Sequence, residues 1–204
     1  MVQEAREETA TEHYDGKIKL LRGGILYGLE GEVVRYSTGP LSTEDKEVWY
    51  IHGEKMENHF VSTVAPAIGL NAIINPEKKT NKYAHDLILD GTKRADLKHQ
   101  GTPFFMAGRY DFNPMETVSF NKKDYERYKS IYPDIFVVFW VQWDKQSRYG
   151  VNVEAQNGVW IFSLDELGEQ IKDAPLHTYQ KRIKDKRGNA KDSYLIKLDS
   201  YRKT

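Results

Sequence analysis

Asp86, Asp96 and Lys98 are the residues of this chain whose types and spacing could do chemistry. They lie in His85-Asp86-Leu87-Ile88-Leu89, then Asp90-Gly91-Thr92, then Lys93-Arg94-Ala95-Asp96-Leu97-Lys98. Two short β-prone runs joined through Asp-Gly form a strong local hairpin signal. Side chains alternate across a strand, so Asp96 and Lys98 leave one face while Ala95 and Leu97 leave the other. A three-residue loop at Asp90 to Thr92 sets Asp86 opposite Asp96. A five-residue loop keeps them on one face, and an even loop without a bulge does not. With either odd loop, two carboxylates and an ammonium converge on one patch. Hard cations such as Mg²⁺ take oxygen ligands, commonly one or two carboxylates with waters and phosphate oxygens. A lysine beside them can orient or deprotonate an attacking water, or stabilise the charge growing on a phosphate. The patch therefore suits metal-assisted phosphoryl chemistry. A surface hairpin with an ordinary Asp–Lys pair carries the same short string, so the flanking elements must decide.

Upstream, Met56, Phe60 and Val64 recur at helical spacing, and Pro66 and Gly69 bring that helix to an end. Glu57, Val61 and Val64 form the neighbouring line, which places Glu57 at the margin of the buried face. Downstream, an extra strand is expected near Pro103 to Ala107. Asn121 can cap a helix through Tyr125, Tyr128 and Ile131, which Pro133 would stop. Ile135 to Val141 is a continuous apolar run, as expected of a strand covered on both faces.

Helix, hairpin, extra strand, helix, buried strand, with an acid on the first helix and D-x-K on the second hairpin strand, resembles the PD-(D/E)XK nuclease superfamily. The resemblance covers roughly residues 50–145. It implies an α/β (α+β) chain with a restriction-endonuclease-like core, a mixed central sheet flanked by helices, and additional N- and C-terminal β elements. It also implies that Asp86 and Asp96 ligate Mg²⁺, with Mn²⁺ as a substitute, and that Lys98 is the catalytic base or electrostatic helper. Glu57, in a Gly-x-x-x-Glu-x-x-Phe setting, matches the acid that many members add from the first helix. The Leu97 backbone carbonyl would complete the metal shell. One departure is His85, where the family motif has proline. The implied activity is hydrolysis of DNA phosphodiester bonds by an endonuclease of restriction, repair or recombination type, and double-strand cutters of this fold often work as homodimers.

The chain of 204 residues has zero formal net charge, so no general attraction to nucleic acid is advertised, and a local basic groove would have to serve. With no cysteine there is no disulfide scaffold and no thiol chemistry. No apolar stretch reaches membrane-span length and no signal pattern opens the chain, so a cytoplasmic protein with no membrane partner is expected. Residues 1–15 read as a flexible leader and 16–204 as a single domain, with a β-rich decoration over 146–204. Within it, Lys17 to Tyr36 reads as two or three short strands turning at Gly23-Gly24 and Glu30-Gly31. Ser147 to Gly150 reads as a turn and Val159 to Phe162 as a strand, and Ser163 with Glu166 as a capping box opening a helix to about Asp173.

Basic charge concentrates near the C-terminus. Lys186, Arg187 and Lys191 sit on what reads as a hairpin tip, where they would contact DNA phosphates. Gln100 shares the face of Lys98 and is a candidate for supporting hydrogen bonds. His59, His85 and His99 lack zinc-type spacing and read as surface or core histidines, and Glu116, Asp124 and Asp134 have no convergent partner visible in sequence. No P-loop, dinucleotide fingerprint or nucleophile elbow is present. Two readings stand beside the nuclease: a catalytically weak or inactive nuclease-fold protein that binds nucleic acid or assembles, and an unrelated α/β interaction protein.

Overall fold

The computed structural model describes residues 18–22, 25–28, 33–36, 46–81, 83–179, 192–198 and 202–203, with side chains over 53–81, 83–179 and 192–198. The chain forms two compact units, Met1–His59 and Phe60–Thr204. The first holds an antiparallel sheet of β1 (Ile18–Arg22), β2 (Ile25–Gly28) and β3 (Val33–Tyr36), in that order, then α1 (Lys46–His59). Both glycine turn points fall between these strands. The leader over 1–15 lies outside the described residues.

The second unit opens with a π-helical turn, Phe60–Val64, running into a helical turn at Ala65–Ala67. Pro66 has no N–H to donate and its ring crowds the turn before it, so a locally widened turn just upstream relieves the clash. Gly69, at φ 68°, then reverses the chain. Leu70 N–H donates to Ala65 O at 2.8 Å and Gly69 N–H to Pro66 O at 3.1 Å, the paired closure of a glycine-ended helix.

In chain order β4 (Ala72–Ile74), β5 (Leu87–Leu89), β6 (Lys93–Gln100), β7 (Thr117–Asn121), α2 (Lys122–Ile131) and β8 (Phe136–Trp143) follow. After them come β9 (Gln146–Arg148), β10 (Val151–Val153), β11 (Gln156–Ser163), α3 (Leu164–Asp173), β12 (Leu176–Thr178), β13 (Asp192–Lys197) and β14 (Arg202–Lys203). The central sheet has the order β14-β11-β8-β6-β5-β4. Only β6 and β8 run parallel in it, so the sheet is mixed and the chain is α/β. β8 lies inside the sheet, with Val137 to Val141 all buried, as its unbroken apolar run requires. Alternation sends Val137, Phe139, Val141 and Trp143 to one face, where they join Phe120, Tyr128, Trp160, Phe162 and Leu167 in the main core. Trp140 leaves the opposite face and meets Phe60 at 5.9 Å between ring centroids.

The extra strand expected near Pro103 to Ala107 is absent, and that stretch runs through turns into a 3₁₀ turn at Ala107–Tyr110. The strand that precedes α2 is β7, which joins a second antiparallel sheet, β12-β13-β7, instead of the central one. Both local helix signals appear as read. Asn121 Oδ1 accepts from Lys123 N–H at 2.9 Å, and Ser163 with Glu166 forms the full capping box.

Phe139 is fully buried and meets the rings of Phe120 and Phe162 edge-on, each at 5.9 Å. Phe139→Ala leaves a cavity between the central sheet and β7, and is expected to lower unfolding free energy by about 3–5 kcal/mol in a urea titration. A loss below about 1 kcal/mol would mean that this core is not packed as described.

Candidate functional site

The hairpin sets the geometry. Leu89 pairs with Lys93, Ile88 with Arg94 and Leu87 with Ala95, which leaves Asp90, Gly91 and Thr92 as a three-residue loop. Asp90 and Gly91 take φ of 50° and 80°, the left-handed backbone that Asp-Gly tolerates. One step beyond the last pair, Asp86 faces Asp96. There β5 has ended, and Asp86 Oδ2 accepts the Leu97 N–H at 3.1 Å in place of a ladder partner. The N–H and C=O of one strand residue leave on the same edge, so the Leu97 carbonyl faces this gap too. The other Asp86 oxygen is held by Lys78 Nζ at 2.5 Å.

Asp96 is only 5% exposed. On β6 it pairs with Val137, and Lys98 pairs with Phe139, so both lie on the face covered by the main core. Lys98 Nζ stands 2.8 Å from Asp96 Oδ2 and 2.8 Å from Asp124 Oδ2 on α2. Asp96 Oδ2 is thus buried against the Lys98 ammonium, and Lys98 and the Tyr128 hydroxyl both act on the Asp96 carboxylate. Asp124 Oδ1 lies 3.2 Å from Arg127 Nη2, which also donates to the Tyr128 hydroxyl at 2.9 Å. One cluster thus alternates in sign from Asp96 through Lys98 and Asp124 to Arg127.

Burial pushes the Asp96 carboxyl above the ordinary aspartate range; Lys98 opposes the shift and the nearby Asp86 charge adds to it. That repulsion marks Asp86 and Asp96 as electrostatic neighbours. Burial works against the Lys98 charge, but Asp96, the Tyr128 oxygen and Asp124 outweigh it and hold the ammonium well above ordinary lysine. Burial, then the Asp96 charge, raises the Tyr128 phenol, which stays protonated.

The raised Asp96 carboxyl means that the native state binds this proton more tightly than the unfolded chain. Its contribution to stability is therefore present at low pH and is lost as pH rises from 3.8 through the raised value. Asp96→Asn removes that loss. Melting temperatures measured from acid to neutral pH should show the variant gaining on the wild type as pH rises, whereas a variant that loses ground as pH rises would contradict a burial-raised carboxyl.

Of the other residues singled out from sequence, Glu57 lies half-buried on α1, within the first unit. Gln100 pairs with Val141 and shares the Lys98 face. His85 is buried, with its ring edge-on to Tyr132 at 5.4 Å and its carbonyl bonded by Asn75, and His99 packs on Trp140 at 4.6 Å. Asp134 pairs with Arg94 at 2.9 Å. Lys186, Arg187 and Lys191 lie outside the described residues, between the antiparallel strands β12 and β13. Asp124, without a partner in the sequence reading, is corrected: α2 carries it to Lys98. Asp124, Arg127 and Tyr128 share one helix face, and an acid one turn before an inward tyrosine was the signal available. Lys78 had no signal beyond being basic.

Two carboxylates and a carbonyl on the same edge are oxygen donors of the kind a hard divalent cation takes, with Asp86 engaged by Lys78 and the Leu97 N–H and Asp96 by Lys98. Among the described residues no three His, Cys, Asp or Glu side chains gather as a ready-made metal group, so such a cation would have two carboxylates here and complete its shell with water and substrate. No protein-family profile, curated protein or solved structure matches this chain. No helix among the described residues is long and apolar enough to cross a membrane.

Proposed function

We propose that this chain is a metal-dependent nuclease that hydrolyses DNA phosphodiester bonds, with a restriction-endonuclease-like core. The observation that carries the reading is the hairpin register, which sets Asp86 across from Asp96 with Lys98 two residues further along the same strand face. The order of elements also supports it: β4, β5 and β6 form an antiparallel meander, α2 follows, and the buried β8 returns parallel to β6.

In this reading Asp86, Asp96 and the Leu97 carbonyl hold Mg²⁺ or Mn²⁺. When bound, the cation would lower the pKa of a coordinated water and neutralise charge on the phosphate. Lys98, which Asp96 and Asp124 favour as an ammonium while no cation is bound, serves as the catalytic base or as the donor that orients the attacking water and meets negative charge on the phosphate. Gln100, Lys186, Arg187 and Lys191 remain candidates for support and for phosphate contact.

Incubating the protein with supercoiled, linear and branched DNA, with Mg²⁺, with Mn²⁺ or with chelator, tests the proposal. Cleavage is expected with either metal and none in chelator. Ca²⁺ should support binding with little turnover, because its looser geometry activates water poorly. A second reading has its own support: Lys78 and Lys98 already neutralise the two carboxylates, as a structural ion network in an inactive nuclease-fold protein would. DNA binding without cleavage under every metal would favour it.

A further inference from the structure

We propose that Asp124 is a positioning residue: its carboxylate, bridging Lys98 and Arg127, fixes where the Lys98 ammonium stands beside Asp96. The idea rests on the nuclease reading for its activity readout and on the geometry alone for its spectroscopic one.

Lysine is a point charge on a flexible four-carbon stem, so one ion pair does not fix its head. Here the head is held from several sides. Asp124 Oδ2 accepts from Lys98 Nζ at 2.8 Å, while Asp124 Oδ1 is engaged separately by Arg127 at 3.2 Å, so the carboxylate cannot swivel freely. The Tyr128 hydroxyl lies 3.5 Å from Lys98 Nζ, and the Tyr128 ring stacks on Phe120 at 6.4 Å. The arm that carries Asp124 is itself anchored. α2 is capped by Asn121 at one end and stops at Ile131, two residues before Pro133, and Tyr128 is buried beneath it.

Without Asp124, the remaining carboxylate beside Lys98 is Asp96, and the ammonium would settle on it. Asp96 is one of the two residues proposed to hold the metal, so a collapsed Lys98 would compete with the cation and leave the place from which it meets the phosphate. Asp124 therefore divides the lysine's attention between two acids.

A double-mutant cycle with Asp124→Asn, Lys98→Met and the double variant, read in single-turnover DNA cleavage at saturating Mg²⁺, tests this. Asp124→Asn is expected to lower kcat by about 10–100-fold, with KM for DNA little changed, as the loss of a group that orients a reacting side chain does. The double variant should be no slower than Lys98→Met alone. Full additivity, or an unchanged kcat in Asp124→Asn, would overturn the proposal. If the wild type cuts no DNA, the nuclease reading fails and ¹⁵N NMR of the lysine ammonium groups still decides the positioning. Lys98, assigned by its absence in Lys98→Met, should give a slowly exchanging signal that Asp124→Asn abolishes, and an unchanged signal would overturn the proposal. If Asp124→Asn does not fold, Asp124→Glu keeps the charge and moves it by one methylene. It should shift the Lys98 signal and lower kcat, and wild-type values of both would refute a positioning role.

Discussion

Asp96→Asn is expected to leave no measurable metal-dependent cleavage while the protein stays folded. The change keeps shape and volume and removes the charge that, with Asp86, would hold the cation. A thousandfold loss is about 4 kcal/mol at 1.36 kcal/mol per tenfold, within what metal stabilisation of a phosphoryl transition state supplies. The fold should survive because asparagine keeps the shape and Lys98 retains the Asp124 carboxylate at 2.8 Å as its counter-charge. Loss of activity with a retained or raised melting temperature is the signature of a residue kept for function. Unfolding of Asp96→Asn, or wild-type rates in it, would contradict that assignment.

Lys98→Met should damage both activity and stability, which separates it from Asp96→Asn. Methionine keeps most of the stem and removes the ammonium. Asp96 and Asp124, both facing that ammonium at 2.8 Å, are then left without their shared counter-charge. Removing one partner of a buried ion pair costs about 3–5 kcal/mol. Losing the donor beside the attacking water should lower kcat by about 10²–10⁴-fold. The lysine's stabilising contribution is fully present below its ordinary pKa and is lost only as pH climbs through the raised value. Because the deficit comes from carboxylates left without a counter-charge, the urea-melt deficit of Lys98→Met should be largest near neutral pH and shrink as pH falls through the raised Asp96 value. A variant that melts like the wild type would show that Lys98 is not the centre of the cluster.

The parts of this arrangement legible in sequence are those set by neighbours along the chain. Asp90-Gly91 fixed the loop through its left-handed backbone, and the loop length set Asp86 against Asp96. The unbroken apolar run placed β8 inside the sheet, and Asn121 and Ser163 marked the starts of α2 and α3. What escaped depends on how distant elements dock. Nothing local says that β7 joins β13 instead of extending the central sheet, since strand propensity does not name a partner. Asp124 meets Lys98 only because β7 and the buried Tyr128 set the rotation of α2, and Lys78 reaches Asp86 because a 3₁₀ turn at Pro76–Lys79 follows β4.

The central claim, that Asp86 and Asp96 form a divalent-cation site, does not depend on knowing which DNA is cut. Titrating the protein with Mn²⁺ and following the free ion by electron paramagnetic resonance tests it most directly. The wild type should show a saturable site that is lost in Asp96→Asn, weakened in Asp86→Asn and retained in Lys98→Met. No saturable binding in the wild type, or binding that persists undiminished in Asp96→Asn, would contradict the account.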